Sequence, residues 1–258
     1  MFRTLVLALC CVAPIGTTRH GTALAALRDK DEVAIAADSR VLDRLGMRMP
    51  DACKLHVVGD TAIGLNGLTE DSESQFDLLK ITKAALAPRA DLTATVQRLA
   101  AAALEPVTLA VHRILEDDPL MLQAPDLRSN PAGVALARYE HGAPRLGYVR
   151  FLSKPDGHGG ARLVAETLVC PGACPTGIGA VLVSPDAGAV AMFDVQNPQY
   201  WKHPLAPLAV GFVEHQFSDL YPNIGPPVDA IRVADGKITW VARKDGCLAA
   251  EPAAGTEQ

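Results

Sequence analysis

The chain lacks a dense basic run. With a net charge of −5, it offers no electrostatic footprint for a nucleic-acid partner. It also lacks an apolar stretch long enough to span a bilayer. Its longest, Thr4–Ile15, covers about 12 residues against the roughly 20 that a spanning helix needs. Signatures of common chemistries are missing: there is no G-x-S-x-G, H-E-x-x-H, Walker or dinucleotide fingerprint. The histidines show no metal-ligand spacing, and His158 between glycines reads as a turn residue. Cys170 and Cys174 have no further ligands nearby to complete a zinc site. No metal and no cofactor is therefore expected. No internal repeat and no domain-separating linker stand out.

What is present is an export-type leader. Arg3 supplies a positive start, Thr4–Ile15 the apolar stretch, and Gly16, Thr17 and Thr18 the small residues, though without an A-x-A cleavage site. Leu9 before Cys10 disfavours a lipoprotein. The leader implies a secreted or periplasmic protein, and an oxidising compartment changes how the cysteines read. Cys53, Cys170, Cys174 and Cys247 remain after its removal, and disulfides are expected. Cys170 with Cys174 and Cys53 with Cys247 is one of three connectivities. A hydrophobic content of 49% over 258 residues provides for a sizeable core.

Two hairpins are expected first: Thr22–Leu27 with Val33–Ser39, and Cys53–Val58 with Thr61–Leu65 around Gly59-Asp60. Their strands are apolar on both faces, which suits sheets covered on both sides. Ser72-x-x-Gln75 has the form of a capping box and predicts a helix to about Leu86, with Phe76, Leu79 and Ala84 inward. Asp91 caps a second helix to about Leu115, which Pro106 must kink or split. Residues 116–131 read as a loop. Strands return at Val134–Tyr139 and Leu146–Leu152, with further short ones over 161–194. A helix follows from Leu205 to about Leu220, then a hairpin of Val228–Val233 and Lys237–Val241. Strands, two helices, strands, helix, strands predict a layered α+β domain.

The candidate site is built from the first hairpin. A turn centred on Lys30 sets Thr22 opposite Asp38. Lys54 opens the next strand, and if buried it needs a carboxylate, for which Asp38 is the evident partner. A threonine that becomes the first residue can use its own α-amine as base, because that amine titrates at about 7.7–8.0. A nearby cation favours the alkoxide. Gly67, ending the fourth strand, can donate its N–H to an oxyanion.

Gly21-Thr22, Ala36-Ala37-Asp38-Ser39-Arg40, Lys54-Leu55 and Asn66-Gly67 together resemble the first part of proteasome β-type subunits, which are N-terminal nucleophile (Ntn) hydrolases. The spacing from Thr22 through Asp38 to Lys54 matches without a gap, and Gly67 needs a one-residue deletion. The resemblance implies a four-layer αββα sandwich, here over residues 22–247; the leader, read as a signal peptide plus short propeptide in residues 1–21, is a departure, since ordinary proteasomes are cytosolic. Residues 248–258 would form a disordered tail. It implies processing after Gly21, Thr22 as nucleophile, Asp38 and Lys54 as its electrostatic support, and Gly67 as oxyanion donor. Arg40 would be structural, and Asp71 would open the next helix. Val41, Ala52, His56, Leu65 and Thr69 would line the pocket for the residue before the scissile bond.

The likeness weakens after residue 85. The supporting Asp and Ser of the family have no counterpart in Pro222-Asn-Ile-Gly-Pro-Pro227, and the family's mid-chain serine has no evident match. The expected partners are a peptide or amide substrate and, in a homo-oligomer, copies of the chain, with no ATPase partner evident. The alternatives are an inactive binding or scaffold protein on the same fold, or an amidase for a small acyl substrate. Purely structural relatives would be expected to lack the Thr-Asp-Lys set.

Overall fold

A computed structural model describes residues 18–19, 23–41, 52–86, 90–117, 130–157, 161–174, 178–183, 200–217 and 224–248. The chain is a mixed α/β protein built on antiparallel sheets. The first hairpin joins β2 (Leu24–Arg28) to β3 (Glu32–Asp38). Both strands are buried throughout, because their alternate residues enter different cores. Leu24, Ala26, Val33, Ile35 and Ala37 face one core. Ala25, Leu27, Ala34 and Ala36 face another.

These strands belong to a five-stranded sheet of order β11-β2-β3-β12-β13, with β11 Gly179–Val183, β12 Val228–Ala234 and β13 Lys237–Ala242. A second five-stranded sheet has the order β10-β9-β8-β5-β4. Its members are β4 (Leu55–Val58), β5 (Thr61–Gly67), β8 (Ala132–Glu140), β9 (Ala143–Pro155) and β10 (Ala161–Cys170). The two sheets share an apolar core that includes Leu24, Ile35, Leu55, Ala135, Leu146 and Ile231.

Helices cover the outer faces. Helices α1 (Leu78–Ala85) and α2 (Leu92–Asp117) pack on the second sheet through Leu78, Val96, Leu99 and Ile114, against Ile63, Leu136 and Phe151. On the first sheet, α3 (Leu205–Glu214) packs through Leu205, Ala209, Phe212 and Val213. A small third sheet pairs β1 (Thr18–Arg19), β6 (Glu70–Asp71) and β7 (Phe76–Asp77).

Several expectations need correction. Leu24 pairs with Ala37, and the Asp38 amide donates to the Ala23 carbonyl at 3.2 Å. Ala23, not Thr22, is therefore opposite Asp38. The turn holds two residues, Lys30 and Asp31, because the Asp29 carboxylate accepts the amides of Asp31 and Glu32, each at 2.8 Å. No capping box forms. Residues 72–75 turn, with Gln75 at φ 55°, and the helix starts at Leu78. Its cap is Asp77, whose carboxylate accepts the Lys80 amide at 2.8 Å. Phe76 is buried from β7 rather than from the helix, and Ala84 is exposed.

Asp91 does cap α2, accepting the Ala94 amide at 2.7 Å, and α2 continues through Pro106 as one helix. Helix α3 ends at Glu214, short of the expected Leu220, which lies outside the described residues. So do residues 118–129, 184–199 and 249–258, hence most of the predicted loop, part of the predicted strand region and nearly all of the predicted tail. Among the described residues, no helix is long and apolar enough to cross a membrane. The disulfides are Cys53–Cys247 and Cys170–Cys174.

Candidate functional site

Asp38 ends β3 with no exposed surface. A buried carboxylate needs donors on both oxygens. Oδ1 accepts the Lys54 ammonium at 2.7 Å and the Ala23 amide at 2.9 Å. Oδ2 accepts the Arg40 amide at 3.1 Å and the Gly225 amide at 3.2 Å. Burial pushes the Asp38 carboxyl above the usual Asp value, while the Lys54 charge and the hydrogen bonds from Lys54, Ala23 and Gly225 pull it back. Lys54 is itself only 4% exposed. Its carbonyl accepts the Leu65 amide at 2.9 Å, which continues the pairing of β4 with β5 toward the site.

Gly225 supplies Asp38 with a backbone N–H, which leaves no side-chain signature in the sequence. A methyl group at Gly225 would sit 2.3 Å from Arg40 Cζ, so the guanidinium packs directly over the glycine. Arg40 thus contributes its amide to Asp38 and its side chain to this packing.

Gly67 ends β5 at φ +75°, in a conformation that favours glycine. An added Cβ would lie 2.2 Å from the Pro131 carbonyl oxygen. Asn66 beside it is buried and accepts the Tyr148 hydroxyl at 3.2 Å. Burial pushes that phenol up to about 12.

Asp71 opens no helix. It is buried on β6, accepts the Ser74 amide at 2.9 Å, and is ion-paired with Arg113 of α2. It thereby ties the turn after β6 to the helical layer. The backbone of β6 also pairs with Thr18–Arg19, a few residues before the expected cleavage point. Gly21 and Thr22 lie outside the described residues.

Of the expected pocket residues, Val41 and Leu65 are buried, and Ala52, His56 and Thr69 are half-buried. His56 pairs with Ile63 on β5, and its Nε2 lies 2.9 Å from the Cys53 carbonyl. Leu65 belongs to the core under α1 and α2. A cavity of about 440 Å³ lies elsewhere, between β9, β10 and β11, where Tyr148, Arg150, Glu166, Leu168, Val181 and Val183 line it.

Three residues that the sequence did not single out complete the surroundings: Ser39, Asp229 and Lys244. The Ser39 hydroxyl donates to Asp229 Oδ2 at 3.2 Å, and Lys244 is ion-paired to the same carboxylate at 3.1 Å. A basic residue three positions before a cysteine is the faint signal that was available for Lys244.

No family model matches the chain, and no curated protein matches it. Solved structures of Anbu, a bacterial proteasome-like protein, are similar to it. The Gly-1 mutant of Anbu from Hyphomicrobium sp. strain MC1 is 14% identical with a TM-score of 0.50, over 90% of this chain and 89% of that one. A second crystal form of Anbu from the same organism is 11% identical with a TM-score of 0.52 and the same coverage. At such identities the likeness concerns the fold alone.

Proposed function

We propose that this chain is a threonine-type Ntn hydrolase on a proteasome-like four-layer αββα sandwich, and that self-cleavage between Gly21 and Thr22 activates it. The Asp38 carboxylate carries this reading. One buried oxygen receives both the Lys54 ammonium, at 2.7 Å, and the amide of Ala23, at 2.9 Å. Ala23 is the residue that follows the proposed nucleophile in the chain. The likeness of the fold to Anbu supports the same reading.

In this reading the Thr22 Oγ attacks the substrate carbonyl carbon while the free α-amine takes the hydroxyl proton. Lys54 favours the alkoxide and lowers the amine's pKa below its ordinary value of about 7.7–8.0. The Gly67 N–H donates to the oxyanion. Collapse of the tetrahedral adduct breaks the C–N bond, and the leaving amine takes the proton from the α-ammonium. A water molecule, deprotonated by the same α-amine, then hydrolyses the acyl ester and regenerates Thr22. Asp38 holds the Lys54 charge in place throughout.

Val41, Ala52, His56 and Thr69 are proposed to contact the acyl side of the substrate; Leu65, expected among them, is instead packed into the core under α1 and α2. The apolar leader and the two disulfides support a secreted or periplasmic location. Small or unfolded substrates fit an enzyme without an evident unfoldase.

The test is hydrolysis of a panel of peptidyl and simple acyl amides by the wild-type protein and by Thr22→Ala. Turnover that vanishes in Thr22→Ala supports the mechanism, and turnover that survives in it removes Thr22 as nucleophile. Wild-type protein inert toward every amide would favour the binding or scaffold alternative.

A further inference from the structure

Beside the Asp38–Lys54 pair lies a second buried cation that the proposed reaction does not use. Lys244 follows β13, and its side chain is 9% exposed. Its Nζ donates to Ser39 Oγ at 2.5 Å, to Asp229 Oδ2 at 3.1 Å and to the Ala52 carbonyl. An ammonium has three N–H bonds, and each has found an acceptor. Asp229 is fixed in turn, since its Oδ1 accepts the Lys244 amide at 2.7 Å.

These acceptors share a place in the chain. Ser39 follows Asp38, and Ala52 stands two residues before Lys54. The Ala52 amide also donates to the Ser39 carbonyl at 2.9 Å. Cys53, between Ala52 and Lys54, is bonded to Cys247, three residues after Lys244. The segment carrying Lys54 and the strand end carrying Asp38 are therefore both gripped by residues 244–247, once through an ammonium and once covalently. Ser39 has no exposed surface, which excludes a Ser–Lys nucleophile here.

We propose that Lys244, acting with Asp229 and Ser39, is a positioning residue for Lys54. It locks the 52–54 segment to the end of β3, so that the Lys54 ammonium stays on Asp38 instead of turning to solvent. Lysine has a long flexible stem, and its charge is localised only where its backbone is held. This inference rests on the reading of Lys54 as the cation of the proposed site.

The experiment uses the full chain with Lys244→Met, which keeps the stem and removes the three donors, and Lys244→Arg, which keeps the charge. A water-soluble acylating reagent is the probe, and peptide mass spectrometry follows labelling of Lys54. Lys30, 86% exposed, is the internal control. In Lys244→Met, Lys54 is expected to label at least about ten-fold faster while Lys30 is unchanged, and kcat for amide hydrolysis falls about ten- to hundred-fold with KM little altered. Lys244→Arg restores most of both. Unchanged Lys54 labelling in Lys244→Met overturns the proposal. Should that variant fail to fold, Ser39→Ala removes a single acceptor. Lys54 labelling then rises about five-fold, and no rise overturns the proposal. Hydrolysis that survives in Lys54→Met overturns the underlying mechanism instead, and the labelling result still decides the positioning.

Discussion

Lys54 reaches Asp38 at 2.7 Å, and Lys244 reaches Asp229 at 3.1 Å. Both pairs are largely buried, and they meet at the end of β3, where Ser39, the residue after Asp38, accepts from Lys244 and donates to Asp229. Their surroundings differ. Asp38 is ringed by amides of Ala23, Arg40 and Gly225, so the carboxylate that holds Lys54 is fixed from three parts of the chain. Lys244 instead divides its donors among one carboxylate and two neutral oxygens, and nothing remains to act on a reacting group. Burial of a lysine is thus not a mark of chemistry. What surrounds the pair decides whether it is an electrostatic element or a fastening.

The largest contrast should come from removing each cation. Lys54→Met is expected to lower hydrolysis about 10³-fold, the scale of losing a main electrostatic contributor. It should also destabilise the fold by about 3 kcal/mol, because Asp38 stays buried without its counter-ion. Lys244→Met should cost similar stability but at most about a hundred-fold in kcat. Steady-state kinetics beside urea titration separate the two, and equal losses of activity would erase the distinction.

The covalent half of the fastening comes next. Cys53–Cys247 spans 194 residues of sequence. In the chain-entropy account, closing so long a loop contributes about 5 kcal/mol. A Cys53→Ser/Cys247→Ser double variant should lose about that much in denaturant unfolding, while hydrolysis under native conditions falls less than in Lys54→Met.

Gly67→Ala probes the other side of Lys54, where β5 holds its carbonyl. With φ at +75° and the Pro131 oxygen 2.2 Å from the added Cβ, the backbone must move. A loss of about 1–3 kcal/mol is expected in thermal or urea unfolding. A neutral result would mean that the end of β5 yields freely.

The smallest effect is a displaced titration. The Asp38 carboxyl is raised by burial, so the native state takes up its proton at a higher pH than the unfolded chain, whose Asp titrates near 3.9. Between those two values the native state binds more protons, so the Asp38 contribution to stability falls as pH rises through the window. Activity runs the other way, because protonation removes the partner of Lys54 as pH falls through the native value. Carboxyl NMR of Asp38 against the acid limb of kcat checks both. A midpoint below the ordinary Asp value would contradict the burial argument.

Much of the first region was legible because its signals are local. The short apolar runs over Leu24–Arg28 and Glu32–Asp38, bounded by a charged turn, mark two strands, and a buried Lys54 calls for an acid. The register slipped by one because Asp29 caps a two-residue turn, a choice made by a side-chain hydrogen bond and not by the apolar pattern. Ser72-x-x-Gln75 misled for a related reason: Asp71 takes the Ser74 amide and Arg113, which bends the chain before any helix can begin. The second pair was illegible. Lys244 joins Ser39 across 205 residues, and the support from Gly225 is an amide that any residue except proline carries. Contacts set by tertiary closure leave little trace in neighbouring sequence.

The most direct test of the central claim is the intact mass of the exported protein and of its Thr22→Ala variant. The account predicts a wild-type chain beginning at Thr22 and a variant that retains residues before position 22. A wild-type chain beginning elsewhere, or a variant cut at the same bond, would contradict self-processing by Thr22.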